Sequence, residues 1–404
     1  MGFISKELVE YSLRGIWHRK TRTFLTILSI FLGIAVIFLF VSFGLGLYAY
    51  VNQFATESSA DKITIMPAGA AAPGIDDTFT ISENDINAVK KIAGVYKVTG
   101  MYTKPAEIIQ DKKRVYAFVL GLDPDVPLMQ EMGNMKIYSG RELKNTDSGK
   151  VVLGYNYMIE NKIFPKAYVL NQKIQIQGQE FRVLGFYSAV GNPSDDSQIY
   201  MTNDAVKALY GSSLKGYAMA IAQVDRTDIP NIIENVKKAL RISRNVEKGK
   251  EDFFVQSWED LMSTYTVVLN GIIGFVILIA LISVLVSAIN TANTMITSVL
   301  ERVKEIGVMK AVGARNTEIF NLFLFESAFL GFIAGTMGVI LGWILSYSAG
   351  ALLKSLGWGF LSPAYPPILF IGLILFATLT GAVSGAIPAR KASKIRPVEA
   401  LRYE

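Results

Sequence analysis

Four stretches of this 404-residue chain carry no charged side chain: Thr23 to Thr56, Leu261 to Leu300, Ser327 to Leu353 and Ser355 to Ala389. Each exceeds the ~20 residues needed to cross a ~30 Å hydrocarbon core, which predicts four transmembrane helices. Between the first two windows the pattern changes to short strands and amphipathic helices over about 200 residues. "DKITIMPAG" and "RVYAFVLGL" read as strands. "SENDINAVKKIAGV" reads as a helix capped by Ser82, with Ile86, Val89 and Ile92 on one face. A comparable unit returns late, as strand "GYAMAIAQV", helix "DIPNIIENVKKAL" with Pro230 in its first turn, and strand "DFFVQS". Two such units flanking a different middle predict one α+β subdomain interrupted by another. The middle, residues 126–214, is rich in short strands and turns, with Gly178 at a hairpin turn between "KIQIQ" and "QEFRVLGFY".

The expected fold is therefore membrane α-helical, with four transmembrane helices, plus an α+β extracytoplasmic domain carrying a β-rich inserted subdomain. Residues 1–22 are expected as a cytoplasmic amphipathic helix leading into the membrane, and 23–56 as the first span with a stalk. Residues 57–125 and 215–260 form the two parts of a porter-like subdomain around the β-rich insertion at 126–214. A second stalk and span follow at 261–300, a cytoplasmic coupling segment at 301–326, spans at 327–353 and 355–389, and a cytoplasmic tail at 390–404. The 40 charge-free residues from Leu261 would run about 60 Å as one helix, well beyond the bilayer, so the excess is expected to project as a helical stalk. The first window is too long for a typical signal-peptide core and reads as an uncleaved anchor.

Composition supports the membrane reading: 51% of residues are hydrophobic and only 18% charged, with a mean hydropathy of +0.35. Lys and Arg gather in residues 1–22, in 301–326 and in the tail, which places those three segments in the cytoplasm. The segment from Glu57 to Asp260 is almost neutral, so the net charge of +6 reports topology. No basic stripe with interleaved aromatics is present, and nucleic acid is not an expected partner.

The usual tools of catalysis are missing. The chain contains no G-x-x-x-x-G-K-[ST] loop, no H-E-x-x-H and no G-x-S-x-G; it has no cysteine, and its one histidine, His18, sits in the basic N-terminal segment. The acid pairs Asp76/Asp77, Asp123/Asp125 and Asp195/Asp196 lie beside Gly, Pro or Ser and read as solvated turns. Tyr102, Phe118, Tyr155 and Tyr157 read first as core residues and second as a binding surface. The charge-free windows offer no ionisable group for a proton or ion relay, so the energy for any transport must come from elsewhere.

One segment breaks the apolar pattern sharply. "ERVKEIGVMKAVGARNTEIF", Glu301 to Phe320, puts both charge signs between two spans. Glu301 to Val312 reads as a short helix with Val303, Ile306, Met309 and Val312 available for packing. Gly313 is its expected stop, and Asn316 or Thr317 is expected to cap the next helix.

This stretch, continued through "NLFLFES", closely resembles the connection between the second and third membrane helices of MacB- and FtsX-type ABC transporter permeases. The tail "IPARKASKIRPVEALRYE" resembles the ending of the same family, with Pro388, Ala389, Ala392, Pro397, Ala400, Leu401 and Arg402 on its pattern. The start, "SLRGIWHRKTRTFLTILSIFLGIAV", is similar to the family's basic lead-in helix and first span. The resemblance implies that Glu301, Arg302, Glu305, Ile306, Gly307, Lys310, Ala311, Gly313 and Ala314 form a coupling helix that docks on a cytosolic ABC ATPase.

It further implies a dimer with a second permease copy or a close homologue, embedded in the lipid bilayer of a prokaryotic plasma membrane, with an extracytoplasmic adaptor as a candidate partner. ATP and Mg would be held by the ATPase and no cofactor by this chain. MacB carries its ATPase fused at the N-terminus, so here a separate polypeptide is expected to supply it. The expected function is mechanotransmission, in which ATP hydrolysis drives an extracytoplasmic domain to export a drug, peptide or lipid-like substrate. The alternatives are FtsX-like control of a cell-wall enzyme and lipoprotein release of the LolC and LolE kind.

Overall fold

The computed structural model describes residues 20–54, 59–68 and 80–402. His18, the rest of the N-terminal basic segment before Lys20 and the Asp76/Asp77 pair lie outside them. Contacts divide the chain into a membrane unit (Met1–Leu47, Leu269–Leu352, Leu361–Glu404) and an extracytoplasmic unit (Tyr48–Val268, Leu353–Phe360). Helix α1 (Lys20–Phe54) runs 35 residues and is apolar all round, as a lipid-facing span requires.

Among the described residues, the extracytoplasmic unit is built on ten strands: β1 (Lys62–Pro67), β2 (Val95–Gln110), β3 (Lys113–Leu122), β4 (Ile137–Gly140), β5 (Lys150–Leu153), β6 (Lys173–Ile176), β7 (Gln179–Tyr187), β8 (Ile199–Thr202), β9 (Met219–Val224) and β10 (Phe253–Ser257). Their order is β10-β1-β9-β2-β3-β8-β5-β7-β4, with β6 paired to β2 and β7. The α-helices that accompany them among the described residues are α2 (Glu83–Lys90), α3 (Leu128–Met132), α4 (Asn203–Tyr210) and α5 (Ile229–Arg244). Strand β9 shows why "MAIAQV" has no polar alternation. Ala220, Ala222 and Val224 join the core under α2 and α5, while Met219 and Ile221 join a second core on the other face with Leu128 and Met132 of α3. A strand buried on both sides reads as a continuous apolar run.

The β-rich residues 126–214 are inserted between β3 and β9 and share one continuous sheet with them. Long strand β2 makes the join: Val95–Met101 pairs with β9, and Tyr102–Gln110 pairs with β3. The turn between β6 and β7 has Gln177 and Gly178 both at positive φ, and Ile176 pairs directly with Gln179. This is the two-residue geometry that matches strand twist, and it explains the glycine. Helix α2 begins with a capping box in which the Ser82 hydroxyl accepts from the Asp85 N–H and the Asp85 carboxylate accepts from the Ser82 N–H. The same carboxylate pairs with Arg244 at 2.8 Å, which ties α2 to the last turn of α5.

Strand β10 is followed without a linker by α6 (Trp258–Glu301), an unbroken helix of 44 residues, or about 66 Å. After it come α7 (Val303–Ala311), α8 (Asn316–Ser355), α9 (Pro367–Ser393) and α10 (Pro397–Arg402). Helices α1, α6, α8 and α9 are each long and apolar enough to cross a membrane.

Within the membrane unit α8 is the packing centre. A Cβ added at Gly381 of α9 would stand 2.5 Å from the Ser327 carbonyl oxygen of α8, and one at Gly338 would stand 2.7 Å from the Phe31 carbonyl oxygen of α1. Only glycine lets the backbones approach so closely, which is the packing that apolar solvent rewards when no hydrophobic force separates helix from lipid. The short connector between α8 and α9 clusters with the other unit instead. There the Phe360 N–H donates to the Gly191 carbonyl at 2.9 Å, and the Tyr50 and Phe360 rings lie 5.5 Å apart.

Candidate functional site

The charged segment between α6 and α8 folds as α7, nine residues long, with Arg302 at its N-cap and Val312 at its C-cap. Gly313 adopts φ +113, and the Ala314 N–H reaches back to the Met309 carbonyl at 2.9 Å, so the stop is a left-handed glycine turn. Helix α8 is started differently from the expectation. The Glu318 carboxylate accepts from the Arg315 N–H at 3.0 Å, so the cap comes from a reaching glutamate in the first turn rather than from Asn316 or Thr317.

Three contacts hold α7. At its start the Arg302 guanidinium donates to Glu305 at 3.0 Å and to Glu326 of α8 at 3.1 Å, and it lies 5.8 Å over the Phe323 ring. Both Arg302 and Glu326 are less than a tenth exposed, so the pair is largely desolvated and sensitive to loss of either partner. In the middle, Val303, Ile306 and Gly307 are buried, and Ile306 packs with Met295 and Val299 of α6, Ile319, Leu322 and Phe323 of α8, and Ala389 and Ala392 of α9. At its end the Lys310 ammonium donates to the carbonyls of Ser393 and Ile395, at 2.7 and 2.8 Å. Those carbonyls lie at the C-terminus of α9, where the helix leaves acceptors unfilled and favours a cation. Burial draws the Lys310 pKa below the ordinary lysine value. Helix α10 also packs against α7.

The candidate residues therefore divide by face. Arg302, Ile306, Gly307 and Lys310 face inward, and Arg302, Ile306 and Lys310 fix the helix to α6, α8 and α9. Glu301, Glu305, Ala311 and Gly313 are exposed, and Ala314 is half-buried. Val312 corrects the packing expectation: it is 85% exposed, because the helix has already ended there and the chain turns outward. With Val308, 53% exposed, and Lys304 it completes an outer face of mixed charge and apolar surface. Sequence reasoning missed Val308 and Lys304 on that face, and Phe323, Glu326, Ser393 and Ile395 behind it. Only Glu326, an acid one residue from an apolar window, offered a signal.

Two other expectations are resolved in the extracytoplasmic unit. The Asp125 N–H donates to the Asp123 carboxylate at 3.0 Å in an exposed turn, as read. The Asp195/Asp196 pair is not a solvated turn: Asp196 is 5% exposed, because its carboxylate turns inward to accept from the N–H groups of Val190 and Gly191. Tyr102 and Tyr157 are core residues, whereas Tyr155 lines a cavity.

Residues 23–239 match the MacB-like periplasmic core domain family, and residues 277–397 match the FtsX-like permease C-terminal family. The chain is 31% identical to an ABC transporter permease of Methanocaldococcus jannaschii over 98% of both chains. It is 28% identical to the ABC transporter permease YknZ of Bacillus subtilis, over 98% of this chain and 99% of that one. The macrolide export ATP-binding/permease protein MacB of Bdellovibrio bacteriovorus is 26% identical, over 99% of this chain and 62% of its own length.

Proposed function

Because this chain belongs to the MacB-like and FtsX-like ABC transporter permeases, a family that works with an ATPase, we propose that it couples ATP hydrolysis by a cytosolic ATPase on a separate polypeptide to movement of its extracytoplasmic domain. The observation that carries the reading is the anchoring of α7. Its start is clamped to α8 by Arg302 and Glu326, its middle to α6, α8 and α9 by Ile306, and its end to α9 by Lys310. A force applied to the exposed face of such a helix is shared by three spans at once instead of being absorbed by a flexible loop. Helix α6 then carries it, without a break or linker, to β10 at the edge of the sheet.

In this reading Glu301, Lys304, Glu305, Val308, Ala311 and Val312 meet the ATPase, while ATP and Mg stay with that partner. The termini and α7 are cytoplasmic, following the distribution of Lys and Arg. Two permease copies form the working unit. The long apolar flank of α6, where Phe275, Leu285 and Val286 are all exposed, is available for the second copy as well as for lipid. The substrate is a drug, peptide or lipid-like molecule taken from the extracytoplasmic side. A relative named for macrolide export supports that class.

The test replaces Val308 and Val312 together with arginine. Both side chains are more than half exposed, so insertion should match the unaltered chain, while stimulation of the cognate ATPase should fall at least about tenfold, because two charges would enter an apolar contact. Undiminished stimulation would contradict the docking face.

A further inference from the structure

The extracytoplasmic unit has a half-open cavity of about 390 Å³ between the turn after α3, the end of β7 and the first residue of α6. Met129, Met132 and Met135 supply flexible thioether walls, and Tyr187, Tyr155 and Trp258 supply ring surface. Methionine adapts its shape to irregular apolar guests, and aromatic faces attract cations. Two carboxylates complete the lining, Asp195 and Asp196.

Among the described residues, the hydrogen bonds to these two carboxylates come from neutral donors. Asp196 accepts from the Val190 and Gly191 N–H groups at 2.7 and 2.9 Å, and Asp195 accepts from the side-chain amides of Asn192 and Gln198 at 2.9 and 3.2 Å. Lys162 attracts Asp196 without a hydrogen bond to it, and Lys136 at the rim is exposed, where solvent screens it. Burial pushes both carboxyls above the usual aspartate range, and for Asp195 the neighbouring Asp196 charge adds to the effect. Two carboxyl groups thus share one lining, hydrogen-bonded by neutral groups alone, and a cation seated there would favour their ionised form. A hard metal cation is a poor match, since it demands several free oxygen ligands and these are committed to N–H groups.

We propose that this cavity binds an organic cation whose charge is spread over apolar groups, seated against the methionine and aromatic walls with its charge toward Asp195 and Asp196. The assignment is independent of ATPase docking on α7, and a failure of either leaves the other standing. Ala189 is an exposed residue on the lining.

The full chain in nanodiscs of neutral lipid is titrated with tetraphenylphosphonium and, separately, with tetraphenylborate, an anion of the same shape, using empty nanodiscs as the blank. Saturable binding of the cation alone is expected. Asp195→Asn should weaken it by roughly tenfold, since one of two nearby charges is removed, and Ala189→Trp should abolish it by crowding the lining from an exposed position. Equal binding of both ions, no saturable binding of the cation, or cation binding indifferent to either substitution would overturn the proposal.

Discussion

Replacing Arg302 with alanine tests whether α7 is a rigid element or a loosely held loop. The substitution leaves Glu326, 6% exposed, without its arginine partner, and removes the contact over Phe323. Breaking a buried ion pair from one side costs about 3–5 kcal/mol. The four apolar spans do not depend on that pair, so the penalty falls on the local closure of α7. At about 1.4 kcal/mol per factor of ten, opening of the helix becomes roughly two to three and a half powers of ten more frequent. Amide hydrogen exchange in nanodiscs reads this directly at Ile306 and Val312, whose N–H groups donate to the Arg302 and Val308 carbonyls at 3.0 Å each. The double variant Arg302→Met with Glu326→Leu removes both charges and should recover most of the loss, to within about 1.5 kcal/mol. Unchanged exchange in Arg302→Ala, or a double variant as loose as the single one, would show that the pair does not hold the helix.

The spans were legible because hydrocarbon excludes charge, so the absence of Asp, Glu, Lys and Arg marks them without reference to any partner. Helix α2 was legible because its cap and apolar face are local to the sequence, down to Ser82, Ile86 and Val89. The facing of α7 was not. Arg302 and Glu326 are 24 residues apart and Lys310 bonds carbonyls more than 80 residues away, so nothing local separates an anchoring charge from a displayed one. Asp195 and Asp196 look like any acidic turn until the fold curls Val190 and Gly191 around them. The continuity of the sheet was hidden for a similar reason: β2 changes partners at Met101, and strand pairing between segments more than a hundred residues apart leaves no periodicity to read.

Gly381→Ala should lower the melting temperature of the detergent-solubilised protein, because the added methyl meets the Ser327 carbonyl at 2.5 Å and forces α8 from α9, costing about 1–3 kcal/mol. A matching change at Gly372, where nothing lies within 4 Å, should be near neutral. Asp147, hydrogen-bonded by Arg141 and Lys150, is held well below the usual carboxylate range. Its stabilisation is therefore present above the unfolded value near 3.9 and is lost as pH falls through the lower folded value, and Asp147→Asn should flatten the acid limb of an unfolding curve taken below about pH 5. For orientation, a cysteine at exposed Ser194 should react with a membrane-impermeant thiol reagent in whole cells while one at exposed Asn316 should not. With no native cysteine the background is low, and the reverse pattern would invert the topology.

The docking role of α7 is tested most directly by placing a photo-crosslinking amino acid at Val312, 85% exposed at the tip of the segment, and at Val383, 72% exposed on the apolar face of α9. Irradiation of whole cells followed by mass spectrometry should give an adduct at Val312 with a polypeptide that carries a nucleotide-binding loop, and only lipid or permease adducts at Val383. Absence of an ATPase adduct at Val312, or the same adduct from both positions, would contradict docking of an ATPase on this helix.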